Sequence, residues 1–102
     1  MKHLLIHMDN NETWKLPADI IAKHYAEYYA TVDIGEIIGN EVRWVKAYTE
    51  LYDECLNTNY ELRDWLQNNM NWVDIKSHVT LMENKDRDYQ DLFMDADIEI
   101  EE

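Results

Sequence analysis

Apolar and polar residues alternate from the first residues of the chain. Leu4, Ile6 and Met8 fall on one side of an extended segment over 2–8, with His3, Leu5 and His7 on the other. That period of two predicts a β-strand. Asp9-Asn10-Asn11-Glu12 has no glycine, yet asparagine tolerates the left-handed backbone of a tight turn, so Thr13-Trp14-Lys15-Leu16 reads as the returning strand of a hairpin. The period then changes. Pro17 at the first helical position, with Asp19 behind it, marks a helix start. Ile21, Tyr25, Tyr28 and Val32 recur at i, i+4, i+7 and i+11 as one apolar stripe. Residues 33–40 hold both glycines, Gly35 and Gly39, and form a connection. A second helix is predicted from Glu41 to Leu56, with Trp44, Tyr48, Leu51 and Cys55 inward and Val45 and Tyr52 widening that face. Thr58-Asn59-Tyr60-Glu61 has the spacing of a capping box and opens a third helix that turns Leu62, Trp65, Leu66 and Met70 inward. Asn71-Trp72-Val73-Asp74 is suited to cap one more short turn.

His78-Val79-Thr80-Leu81-Met82-Glu83 predicts a third strand. Beyond it the balance shifts: residues 83–102 hold nine acids and two bases. Tyr89, Leu92, Phe93 and Ala96 nevertheless keep the i, i+3, i+4, i+7 spacing of a helix, with Asp88, Asp91 and Asp95 on its opposite side. Asp97-Ile98-Glu99-Ile100-Glu101-Glu102 alternates like an edge strand with acids outward. The acidic segment 83–102 is therefore expected to fold onto the rest, giving one domain over 1–102. The fold class that results is α+β, a small sheet made of the N-terminal hairpin and one or two C-terminal strands packed on about three helices.

Composition narrows the function. With 22 acidic against nine basic residues, the 102-residue chain carries a formal charge of −13, which repels nucleic acids and anionic membranes. Hydrophobic residues still make up 46%, so the acidity is not that of a disordered polyanion. No apolar run is long enough to span a bilayer. One cysteine, Cys55, allows no internal disulfide and suits a reducing cytoplasm. Two glycines leave no phosphate-binding loop or dinucleotide fingerprint to write.

Candidate chemistry is correspondingly thin. His3 and His7 have metal-ligand spacing for a helix, but on a strand they stand ~13 Å apart, too far to share an ion. Asp86, Asp88 and nearby acids lack the glycine and ligand order of a calcium loop. Cys55 sits on an apolar stripe between Asp53 and Glu54, which oppose its ionisation. Ser77 adjoins His78, and side chains one residue apart do not face each other. No catalytic residue, metal ligand or cofactor site is assigned, and the expectation is a protein that is not an enzyme. Trp44 and Trp65 are expected in the core. Tyr28, Tyr29, Tyr48 and Tyr52 are expected near the rim, where an exposed aromatic among acids is suited to anchor a protein partner.

The acidic distribution is the strongest functional signal. Carboxylates three or four residues apart on a helix sit ~5–6 Å from each other, within a factor of two of the charge spacing along a DNA strand. Asp86, Asp88, Asp91, Asp95, Asp97, Glu99 and Glu101 form such a candidate row, and Glu50, Asp53, Glu54, Glu61 and Asp64 a second patch. Two stretches, Trp14-Lys15-Leu16-Pro17-Ala18-Asp19-Ile20-Ile21-Ala22 with His24-Tyr25-Ala26-Glu27-Tyr28-Tyr29-Ala30, and Asn59-Tyr60-Glu61-Leu62-Arg63-Asp64-Trp65 with Asn68-Asn69-Met70-Asn71-Trp72, resemble small acidic proteins encoded by phages. The resemblance implies action in the cytoplasm of a bacterial host cell. The expected function is then a phage-type accessory protein that binds a basic, nucleic-acid-binding protein, such as a host defence complex, by mimicking nucleic acid. The alternative is a homodimeric structural or assembly module whose acidity serves only solubility.

Overall fold

A computed structural model of the protein describes residues 1–8, 12–35, 38–81 and 93–102. The elements run β1 (His3–His7), β2 (Thr13–Pro17), α1 (Ala18–Ile34), α2 (Glu41–Leu56), α3 (Asn59–Asn69), α4 (Trp72–Ile75), β3 (Thr80–Leu81) and β4 (Asp97–Glu101). All strand neighbours are antiparallel, in one sheet of order β3-β2-β1-β4. The fold is the α+β class that the alternation of periods predicts.

The register explains the layering. Leu4 pairs with Leu16 and Ile100, and Ile6 with Trp14 and Ile98. These residues share the face that meets the helices, where Leu4, Ile6 and Leu16 are fully buried. Each such burial contributes about 1.5–3 kcal/mol relative to exposure. His3, Leu5, His7, Lys15, Thr80, Asp97, Glu99 and Glu101 occupy the opposite face, half-buried or exposed. The predicted hairpin is present, closed by the Met8 amide donating to the Glu12 carbonyl at 2.9 Å. Its turn, over 9–11, lies outside the described residues.

Beneath the sheet, Leu62, Trp65 and Leu66 of α3 are buried as expected, with Met70 closing the helix and Ile75 of α4 fully enclosed. Phe93 and Ala96, half of the C-terminal stripe, are also buried in this core. The other half, Tyr89 and Leu92, lies outside the described residues, as does the expected continuation of β3 beyond Leu81.

Four local expectations are corrected. Pro17 occupies the N-cap with extended backbone (φ −60°, ψ 132°), one residue before the helix. Of the predicted α1 stripe, Ile21 and Tyr25 are buried, but Tyr28 is 54% and Val32 59% exposed. Alanines define the buried face instead: Ala18, Ala22, Ala26 and Ala30, each four apart, are all fully buried. Their small side chains let the neighbouring helix come close, whereas large ones at 28 and 32 are turned out. On α2, Cys55 is buried, Trp44, Tyr48, Leu51 and Tyr52 are half-buried, and Val45 is 56% exposed, because among the described residues little besides α1 covers the first turns of this helix. The Thr58 hydroxyl, finally, does not cap α3. It donates back to the Glu54 carbonyl of α2 at 2.8 Å, and the Thr58 carbonyl receives the Leu62 amide at 3.1 Å. At α4 the expected cap is realised, with the Asn71 amide donating to Asp74 Oδ2 at 2.8 Å.

Gly35 (φ +77°) and Gly39 (φ +84°) bracket the α1–α2 connection. The Gly35 amide ends α1 by donating to the Thr31 carbonyl at 2.8 Å. This left-handed region costs glycine least.

Candidate protein-binding face

Tyr25, Tyr28 and Tyr29 stand at i, i+3 and i+4 on α1, a spacing that brings side chains together on a helix surface. Opposite them, α3 presents Trp65. Its ring centroid lies 5.2 Å from Tyr25, 5.5 Å from Tyr28 and 5.3 Å from Tyr29. The tyrosines also meet each other edge-on, Tyr25–Tyr29 at 4.9 Å and Tyr28–Tyr29 at 5.2 Å. Edge-to-face contacts of this kind contribute roughly 0.5–1.5 kcal/mol each beyond burial. The cluster grades from inside to outside: Trp65 and Tyr25 are buried, Tyr29 is 36% and Tyr28 54% exposed.

His24 fixes Trp65 from one side. The indole N–H donates to His24 Nδ1 at 2.8 Å, so Nδ1 acts as acceptor and the proton of the neutral ring sits on Nε2. His24 borders two shallow grooves. One, of about 370 Å³, also involves Glu27, Tyr28, Thr31 and Val32. The other, of about 270 Å³, brings His24 and His78 together with Lys23, Glu27 and Asp74. No local spacing signals that meeting, since the two histidines are far apart in the chain. Among the described residues no three His, Cys, Asp or Glu side chains are placed to hold a metal ion.

Carboxylates approach the aromatic cluster from the α2–α3 junction. Burial and the charges of Glu54 and Glu61 push the Tyr25 hydroxyl from 10.0 up to about 12. Burial, Glu61 and Glu54 do the same to the Cys55 thiol, raised from 9.0 to about 12. These two carboxylates, on different helices, therefore act on one place. They belong to the second acidic patch, in which Glu50, Asp53 and Glu54 are exposed and Glu61 and Asp64 half-buried. Asp64 Oδ1 accepts a hydrogen bond from Asn68 at 2.9 Å. None of the five is in an ion pair with another described residue.

The C-terminal row is less free. Asp86, Asp88 and Asp91 lie outside the described residues. Asp95 is exposed, and Asp97, Glu99 and Glu101 project from one face of β4, the edge strand. Glu99 accepts from His7 Nε2 at 2.9 Å, and Glu101 pairs with Lys15 Nζ at 2.8 Å. Lys2 reaches Glu102 at 3.5 Å. The sheet thus engages two of the row's carboxylates internally, while Asp95 and Asp97 have no ion pair among the described residues.

Of the tryptophans expected inside, Trp65 is buried. Trp44 is only half-buried: it stacks on Tyr48 at 5.2 Å and its indole N–H donates to Thr31 Oγ1 at 3.3 Å. No helix among the described residues is long and apolar enough to cross a membrane. No protein-family model matches the chain, and neither does any curated protein or solved structure.

Proposed function

We propose that this is a non-enzymatic binding protein whose acidic, tyrosine-bearing helical face docks onto a basic protein. The observation that carries the reading is the pair Tyr28 and Tyr29, exposed yet seated on the buried Trp65, with Glu54 and Glu61, which no described base pairs, acting on Tyr25 of the same cluster. Aromatic anchors held rigid before binding lose little entropy on docking, and tyrosine is enriched among residues that dominate interface energy. Carboxylates on two packed helices supply the complementary field that steers a basic partner. The partner class this chemistry fits is a protein with a positively charged, nucleic-acid-binding groove. Asp95 and Asp97, exposed and without an ion pair among the described residues, add to the acidic field of the molecule. The phage-like sequence stretches favour a bacterial setting for such an encounter.

The test is capture from a bacterial lysate on immobilised protein at low and at ~0.5 M salt, where exposed charges are screened within a few ångströms. Nucleic-acid-binding proteins are expected to be retained at low salt, released at high salt and displaced by double-stranded DNA. The Tyr28→Ala/Tyr29→Ala and Glu54→Lys/Glu61→Lys variants are expected to lose them. Retained proteins that resist both salt and DNA, or that bind the variants equally, would exclude charge mimicry.

A further inference from the structure

We infer that a second copy of this chain docks along α2, antiparallel, through a seam distinct from the tyrosine face. The helix carries two apolar stripes. Trp44, Tyr48, Leu51 and Cys55 serve the fold. Val42, Val45, Thr49, Tyr52 and Leu56 form the other, spaced 3-4-3-4 like the a/d repeat of a helix that pairs with another helix; Tyr52 and Leu56 also rest partly on the monomer's core, while Val42, Val45 and Thr49 are exposed. Among the described residues nothing covers the start of this second stripe: Val42 is 84% and Val45 56% exposed. An isolated exposed valine needs no explanation, but two at a/d spacing on a helix that continues the pattern do.

Charge selects the occupant and its direction. Residues 41–49 hold one acid and two bases, Arg43 and Lys46, whereas 50–56 hold three acids and no base. Acids in the last turn, with no base there, oppose the helix's own dipole. An antiparallel copy brings its positive helix start and Lys46 against that acidic end, and the reverse holds at the other end of the seam. Taking Val42 as a, Lys46 and Asp53 both fall at e, and in an antiparallel pair e positions face e positions. Lys46 then meets the partner's Asp53, and Asp53 the partner's Lys46. In a parallel pair e meets g, which here is Tyr48 or Cys55, so no such match forms. The remaining net charge of each copy opposes any broad contact, which confines association to the strip where Lys46 and Asp53 balance. The closed twofold arrangement uses the same patch on both copies, and a seam of two heptads gives a concentration-dependent dimer.

The experiment is sedimentation equilibrium from micromolar to millimolar protein, on the wild type and on Val45→Glu, Lys46→Glu and Asp53→Lys. All three positions are exposed, and circular dichroism verifies that each variant is folded. The wild-type mass is expected to rise from 12.3 kDa toward twice that value. Each variant alone should stay monomeric over the same range. An equimolar mixture of Lys46→Glu and Asp53→Lys should dimerise again, because both cross-pairs are then attractive. A wild type that stays monomeric throughout overturns the inference. So does a dimer that survives Val45→Glu, which would place the contact elsewhere, or a mixture that fails to associate. Val45 and Lys46 lie outside both the tyrosine cluster and the second acidic patch, so Val45→Glu and Lys46→Glu should lose self-association while keeping lysate capture, and the two readings can fail independently.

Discussion

Trp65 and His24 are held 2.8 Å apart by a hydrogen bond between helices otherwise joined by ring and aliphatic contacts. The donor belongs to a buried side chain, so its partner cannot be supplied by bulk water. This one polar contact sets the angle at which Trp65 meets the tyrosines.

His24→Phe removes the acceptor and leaves the indole N–H unsatisfied, an expected loss of about 1–3 kcal/mol. Adding Trp65→Phe removes the stranded donor as well. The double variant should then be less destabilised than the sum of the two singles in urea unfolding. Strict additivity would mean that the bond contributes nothing.

Burial governs the behaviour in alkali. Both Cys55 and Tyr25 are pushed up to about 12 in the folded chain, from 9.0 and 10.0. Unfolding therefore gains from their ionisation only above the lower, unfolded values. Their contribution to stability is complete below pH 9 and falls as pH rises from there toward 12. Thermal unfolding should show midpoints that decline over that window, less steeply in Cys55→Ala once its own packing loss is subtracted. In the native state at pH 8 the thiol should resist iodoacetamide until denaturant is added.

Glu101 gives the opposite sign. The hydrogen bond and charge of Lys15 hold its carboxyl below 4.5, with solvent close at hand. Its stabilising contact is present above that value and is lost as pH falls. Lys15→Met should move the Glu101 titration, followed by NMR, upward toward 4.5. An unchanged midpoint would mean the pair is not formed in solution.

Two helix starts that look alike in sequence should respond differently. A true N-cap threonine is worth ~1 kcal/mol, but the Thr58 hydroxyl bonds the preceding helix instead. Thr58→Ala is expected to cost less than that. Asp74→Ala strips the Asn71 amide of its acceptor and should cost roughly 0.5–1.5 kcal/mol. Chemical denaturation of the two variants compares them directly.

The elements were legible because period and punctuation agree: two-residue alternation over 3–7 and 97–101, helical spacing over 41–56 and 59–69, and glycines where α1 ends. Faces were harder to read. A stripe search favours large apolar residues, so it selected Tyr28 and Val32 and passed over the alanines, whose value lies in small size and appears only when a second helix is present. Val45 likewise fits an inward stripe and an outward one about equally well. The site was legible as chemistry, in tyrosines and acids, but not as a place. Tyr28 and Trp65 share no local pattern, and Glu54 and Glu61 converge only through the α2–α3 turn. The contacts of Glu99 with His7 and of Glu101 with Lys15 required a strand register that no local spacing encodes.

The row of Ala18, Ala22, Ala26 and Ala30 has a wider consequence. The separation of the longest helix from its neighbours is set by methyl groups, the smallest side chains that still possess a Cβ. Such a joint tolerates error poorly in one direction, since any larger residue acts as a wedge along the whole arm. Outward positions of the same hairpin carry no such restriction. The scaffold can therefore hold its gauge while Tyr28, Val32, Val42 and Val45 are exchanged, so that the outer surface of the hairpin is free to change on an unchanging frame.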